Sequence, residues 1–191
     1  MGIRFLTPAA VACLLLNTTV ALAPAAAQTA KQHVALASDS NFIQTAMSIG
    51  LLQVKLGKLA QEQGSSEVVR DFGKRMVADY TRANEQLAAG AKQAAYPKPV
   101  LLRPHQKVFA RFNFMSKSDF DKKYMAEMVS QHDDAVRMFE HEAKDGRVQS
   151  LKQLAGGMLS DLQQRQGLAT QTASSVGADV TASSSQDRKE S

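Results

Sequence analysis

A chain of 191 residues with 44% hydrophobic residues, 6% aromatics, no Trp and only five Pro can bury a full core and is too apolar to stay disordered. The scarcity of aromatics argues against a β-sandwich and for a mainly helical domain. Lys and Arg outnumber Asp and Glu by 23 to 18. Lys55, Lys58, Arg70, Lys74, Arg75 and Arg82 are nevertheless interleaved with Glu62, Glu67, Asp71, Asp79 and Glu85 at helical spacings, the pattern of solvated helix faces and not of a nucleic-acid-binding stripe. The chain has no glycine-rich phosphate loop, Cys pair, G-x-S-x-G or H-E-x-x-H, so no motif names a reaction.

The first 27 residues read as a signal peptide. Met1-Gly2-Ile3-Arg4 precedes an apolar run centred on Val11 to Leu16, and small residues end in Ala25-Ala26-Ala27 before Gln28. Asn17, Thr18 and Thr19 interrupt the run before it reaches the roughly 20 residues that span hydrocarbon. Cleavage would remove Cys13, leaving no thiol or disulfide, and Arg4, leaving a net charge of 22 − 18 = +4. Residues 28–37 are predicted to form a flexible N-terminal extension.

Ser38-Asp39-Ser40 offers caps for a first helix from about Ser40 to Gln63, with Phe42, Ala46, Ile49, Gln53, Leu56 and Ala60 on its inner stripe. Gly64 stops it, and Ser65-Ser66 can cap a second helix to about Gln93 with Val69, Phe72, Met76, Tyr80, Ala83 and Leu87 inward. Pro97, Pro99 and Pro104 force a non-helical crossing, followed by a short helix over about His105 to Met115 whose apolar side is Val108, Phe109 and Phe112. Ser118 and Asp121 resemble a capping box that opens a third long helix, with Phe120, Tyr124, Met128, His132, Ala135 and Phe139 inward.

Asp145-Gly146 ends that helix, and from about Val148 a fourth carries Leu151, Ala155, Met158, Leu162, Arg165 and Ala169. Residues 174–191 read as a disordered polar tail. The prediction is therefore an all-α, ferritin-like four-helix bundle over residues 38–173, with a short extra helix in its middle crossing.

Four polar residues stand on the inward stripes, one near the middle of each long helix: Gln53, Tyr80, His132 and Arg165. Antiparallel helices place their midpoints at similar depth, so these side chains are candidates for one polar layer whose groups must satisfy one another. The set suits a metal poorly, because Arg165 adds positive charge, no Glu-x-x-His exists and a single His cannot hold zinc. The alternative is a soft Cu(I) site from His132 and Met128, four residues apart, although Met at this spacing more often packs a core. His141 with Asp145 reads as a surface pair, His33 and His105 as solvated, and Glu140 and Glu142 as pointing to different faces. No catalytic residues and no cofactor are expected.

The segments Gly50-Leu-Leu-Gln-Val-Lys-Leu-Gly-Lys-Leu-Ala60, Asp71-Phe-Gly-Lys-Arg-Met-Val-Ala-Asp-Tyr-Thr-Arg-Ala-Asn84 and Phe120-Asp-Lys-Lys-Tyr-Met-Ala-Glu-Met-Val-Ser-Gln-His-Asp134 resemble the family named domain of unknown function 4142. These are exported bacterial helical proteins, ferritin-like in fold and often labelled outer membrane proteins. The resemblance implies, for relatives, a Glu at the place of Gln53 and His at the places of Tyr80, His132 and Arg165, a plausible metal-binding set. Only His132 keeps its type here.

The expected function is thus a non-enzymatic exported protein of the periplasm or cell envelope, acting in envelope maintenance or stress tolerance through protein or surface contacts. The alternative is a metal-binding or redox protein with an altered mid-bundle site. The expected partner is an envelope protein or surface, without nucleic acid and without a transmembrane span. Peripheral membrane association is compatible with these features.

Overall fold

A computed structural model describes residues 25–93, 96 and 98–180, with the side chains of 38–92, 96 and 98–180. Among the described residues are five helices: α1 (Ala25–Gln63), α2 (Glu67–Gln93), α3 (Arg103–Asn113), α4 (Lys117–Asp145) and α5 (Gln149–Ser175). The predicted leader lies outside the described residues except for its last three, as does the predicted tail from 181 onward.

The helices form two antiparallel hairpins, α1–α2 and α4–α5, joined by the crossing that carries α3. Their apolar stripes meet in one core, which buries Phe42, Leu56, Phe72, Met76, Tyr124, Met128, Phe139 and Leu162 among others. The bundle with one long middle connection is the architecture expected from the four matched stripes. α1 begins well before the predicted start near Ser40, because Ala25-Ala26-Ala27 and the residues after them up to Gly50 contain neither Pro nor Gly.

The hairpins repeat one plan at an interval of 82 residues. Gly64 in the first turn matches Gly146 in the second, and Asp39 matches Asp121. Asp39 of α1 accepts the backbone N–H of Arg147 (3.1 Å) and Val148 (2.6 Å) ahead of α5. Asp121 of α4 accepts those of Ser65 (2.9 Å) and Ser66 (2.8 Å) ahead of α2. Each hairpin therefore satisfies the free N–H groups in the turn of the other. The local caps predicted at Ser38–Ser40 and at Ser118/Asp121 are corrected accordingly: both acids sit inside helices and serve a distant turn, and the N-cap of α4 is Ser116.

α5 passes the predicted bundle end at 173 and stops at Ser175. There Gly177 takes φ 62, and the N–H of Ala178 returns to the carbonyl of Ala173 at 2.9 Å, a left-handed stop that glycine permits.

The crossing is fastened at both ends of α3. At its start, the wholly buried Ser48 of α1 accepts the Leu102 N–H at 2.8 Å and meets His105 Nδ1 at 2.5 Å. At its end, Phe112 enters an aromatic cluster, 6.1 Å from Phe120 and 6.2 Å from Tyr124 between ring centroids. Phe120 and Tyr124 stack at 5.3 Å, and Phe72 meets Tyr124 edge-on at 6.1 Å.

Candidate functional site

The mid-bundle layer assembles from all four long helices. Gln53, Tyr80, His132 and Arg165 are each buried. His132 Nδ1 lies 2.7 Å from the carbonyl of Met128, one turn back on α4. A carbonyl only accepts, so Nδ1 carries the proton and Nε2 presents a lone pair. The Tyr80 hydroxyl stands 3.2 Å from Nε2 and donates to it. The two rings meet edge-on, with centroids 5.8 Å apart.

Electrostatics keep both partners neutral near pH 7. Burial pushes the His132 imidazole down to about 4, and the charge of Arg165 acts in the same direction, against the Met128 carbonyl bond. Burial raises the Tyr80 phenol to about 12 despite the opposing pull of Arg165. The Arg165 guanidinium lies over the Tyr80 ring, 5.0 Å from its centroid. Its charge faces Asp161 at 3.8 Å and Asp79 at 4.0 Å. Asp79 also pairs with Arg75 and Arg82, so a chain of charges leads from the layer to the surface.

Gln53 turns to a different neighbour. Its Nε2 donates to Gln131 Oε1 at 2.8 Å, and Gln131 donates in turn to Glu127 at 2.6 Å. The sequence stripe singled out Gln53, Tyr80, His132 and Arg165, and the structure links the last three directly. It adds Asp79, Gln131 and Glu127 at helix edges, residues whose half-exposed positions look like ordinary surface in the sequence. Gln53 Oε1, Tyr124 Oη and Arg165 Nη1 are buried without a hydrogen-bond partner among the described residues.

A metal fits this donor set poorly. Both ring nitrogens of His132 are engaged, Tyr80 holds its proton, and Arg165 offers a cation where a ligand would be needed. The Met128 proposed as a soft partner of His132 contributes its backbone carbonyl to the imidazole. Among the described residues no group of three or more His, Cys, Asp or Glu could hold an ion.

Of the other histidines, His105 is half-buried against Ser48, less open to water than expected; the buried oxygen of Ser48, already accepting the Leu102 N–H, anchors the crossing. His141 and Asp145 form the predicted exposed pair at 3.9 Å. The side chain of His33 lies outside the described residues. Glu142 is buried and Glu140 exposed, on different faces as expected.

A family model described as Domain of unknown function (DUF4142) matches residues 22–172. No curated protein and no solved structure matches the chain. No described helix is long and apolar enough to cross a membrane.

Proposed function

The chain belongs to the family described as Domain of unknown function (DUF4142), and from that premise we propose that it is a non-enzymatic, exported helical-bundle protein of the bacterial periplasm or cell envelope. It acts through protein or surface contacts in envelope maintenance or stress tolerance. The observation that carries this reading is the inward closure of the polar layer. His132, the one residue there able to exchange a proton near neutral pH in water, spends both nitrogens on Met128 and Tyr80 and stays neutral. Such a layer fixes the register of four helices and leaves the outer faces to meet partners. Export is supported by the charged start, the short apolar run and the Ala25-Ala26-Ala27 site.

Two measurements test this function. Protein recovered from the periplasmic fraction is expected to begin at Gln28; a chain still starting at Met1 in the cytoplasm overturns the location. Elemental analysis of the same protein is expected to find no stoichiometric Fe, Mn, Zn or Cu. Near-stoichiometric metal that disappears in His132→Ala would replace this reading with that of an altered metal site.

A further inference from the structure

The net charge of the molecule is concentrated in one place. Between residues 86 and 118 there is no Asp or Glu, while Lys92, Lys98, Arg103, Lys107, Arg111 and Lys117 all fall there. Removing these six from the 23 basic residues leaves 17 against 18 acidic ones, so the rest of the chain is close to neutral. The helices α1 and α2 show the alternation of a solvated surface; the crossing does not.

α3 turns this charge outward. Phe112 and the Ser48 contacts fix its inner side, Lys55 of α1 covers the Phe109 ring at 4.9 Å, and Arg111 is paired with Glu127. The opposite side bears Arg103, Lys107, Ala110 and Phe114, at steps of four, three and four residues, all exposed. Phe114 is 85% exposed, the most of any large apolar residue among those described, and Val100, before the helix, is 61% exposed. Lys98 and Lys117 are exposed on either side. An amphipathic helix held against the bundle by its inner face thus presents a second, outer face that is cationic with a bare phenyl ring at its end.

We propose that this outer face of α3 docks the protein on an anionic lipid surface. Arg103, Lys107, Lys98 and Lys117 meet the phosphate headgroups, and Phe114 enters the boundary between headgroups and acyl chains. A single exposed aromatic suits a lipid interface better than a nucleic acid, which would be held by a series of stacking rings. One ring and a few cations give reversible binding of a folded protein. This deepens the surface-contact part of the proposed function and uses none of the mid-bundle chemistry.

The test uses the full protein as produced, incubated with vesicles containing phosphatidylglycerol and with vesicles of phosphatidylcholine alone. Binding is expected to the first and not the second, and to weaken as salt rises. Lys107→Glu and Arg103→Glu are each expected to reduce affinity about 5-fold or more, while Lys74→Glu on α2 leaves it unchanged. Arg103→Glu places a carboxylate in the first turn of α3, where the helix dipole favours it, so folding is retained. Phe114→Ser is expected to cost roughly 10-fold. Phe114→Trp supplies the chain's one Trp, and its emission is expected to shift to the blue on the anionic vesicles.

Equal binding to both vesicle types, equal effects of Lys107→Glu and Lys74→Glu, or an unshifted Trp emission would overturn the proposal. So would binding to single-stranded DNA that exceeds binding to the vesicles and ignores Phe114→Ser, which would make the face a nucleic-acid surface. An exported, metal-free protein that ignores every vesicle defeats this inference and leaves the proposed function standing.

Discussion

In the first hairpin α1 and α2 come together through Gly57 and Gly73, where a Cβ on either would stand 2.7 or 2.6 Å from the carbonyl oxygen of the other. The matched positions of the second hairpin, 82 residues on, are Phe139 and Ala155, both buried. Phe139 crosses to the first hairpin and meets Phe42 edge-on at 5.0 Å. The same contrast governs the polar layer. His132 occupies the place matched by Gly50, Arg165 the place matched by Ala83, and Tyr80 the place matched by Leu162. One backbone plan therefore carries two sets of side chains, and the unequal filling gives the bundle its mid-bundle polar layer.

The strongest way to break this pairing is to make the two hairpins alike. Phe139→Ala removes a buried ring from between the hairpins and is expected to cost about 3–5 kcal/mol, read from chemical denaturation. Gly57→Ala adds one methyl group at the matched site. Helix propensity alone would make that change favourable by up to about 1 kcal/mol. The Gly73 carbonyl blocks the space, so Gly57→Ala is expected to destabilise. A gain in stability would show that the hairpin does not need its close approach.

The two acids sharpen the comparison at a smaller scale. Asp39 is buried, whereas Asp121 is half-buried, yet each accepts N–H groups of two successive residues in the other hairpin's turn. Replacing Asp39 by Ala removes a buried acceptor shared by two N–H groups and is expected to cost about 2–3 kcal/mol. Asp121→Ala leaves donors that water can reach and is expected to cost about 1 kcal/mol. Equal losses would mean that burial does not separate the two caps.

The helices and their inward faces were legible because period and punctuation are local. Gly64, the Pro-rich crossing and Gly146 mark the boundaries of α2 to α5 to within a few residues, and the polar residues of the layer fall on stripes of three and four. The caps are not legible in the sequence, because an Asp near a helix start has the same local appearance whether it serves its own helix or another. Asp39 and the N–H donors at 147 and 148 that it accepts are more than a hundred residues apart. His105 is half-buried for a related reason: the wholly buried Ser48 that receives it lies off the three-and-four stripe of its own helix and 57 residues away in the chain. The acid-free stretch over residues 86 to 118 was visible in composition, but only the orientation of α3 separates its fastened side from its bare one.

The last expected effect concerns pH, and it again divides the hairpins. His132 and Glu142, the buried groups pushed to about 4 and about 7, both belong to the second hairpin. Burial raises the Glu142 carboxyl, and the nearby charge of Asp39 adds to this, against His141 and Lys152. Between pH 4.5 and about 7 the folded state thus holds a proton on Glu142 that the unfolded state has released, so this group's contribution falls as pH rises through that window. His132 has the opposite sign: between about 4 and 6.5 the unfolded chain binds a proton that the folded one refuses, so its contribution falls as pH drops. The two slopes oppose each other, and the native protein is expected to show a shallow stability profile from pH 5 to 6.5. Glu142→Gln leaves the His132 slope uncovered. Its stability is expected to decline more steeply than the native protein's on acidification below pH 6.5 and to exceed the native value above pH 7. Urea titrations at pH 5, 6.5 and 8 measure this directly, and parallel profiles for the two proteins would place the Glu142 carboxyl in contact with water.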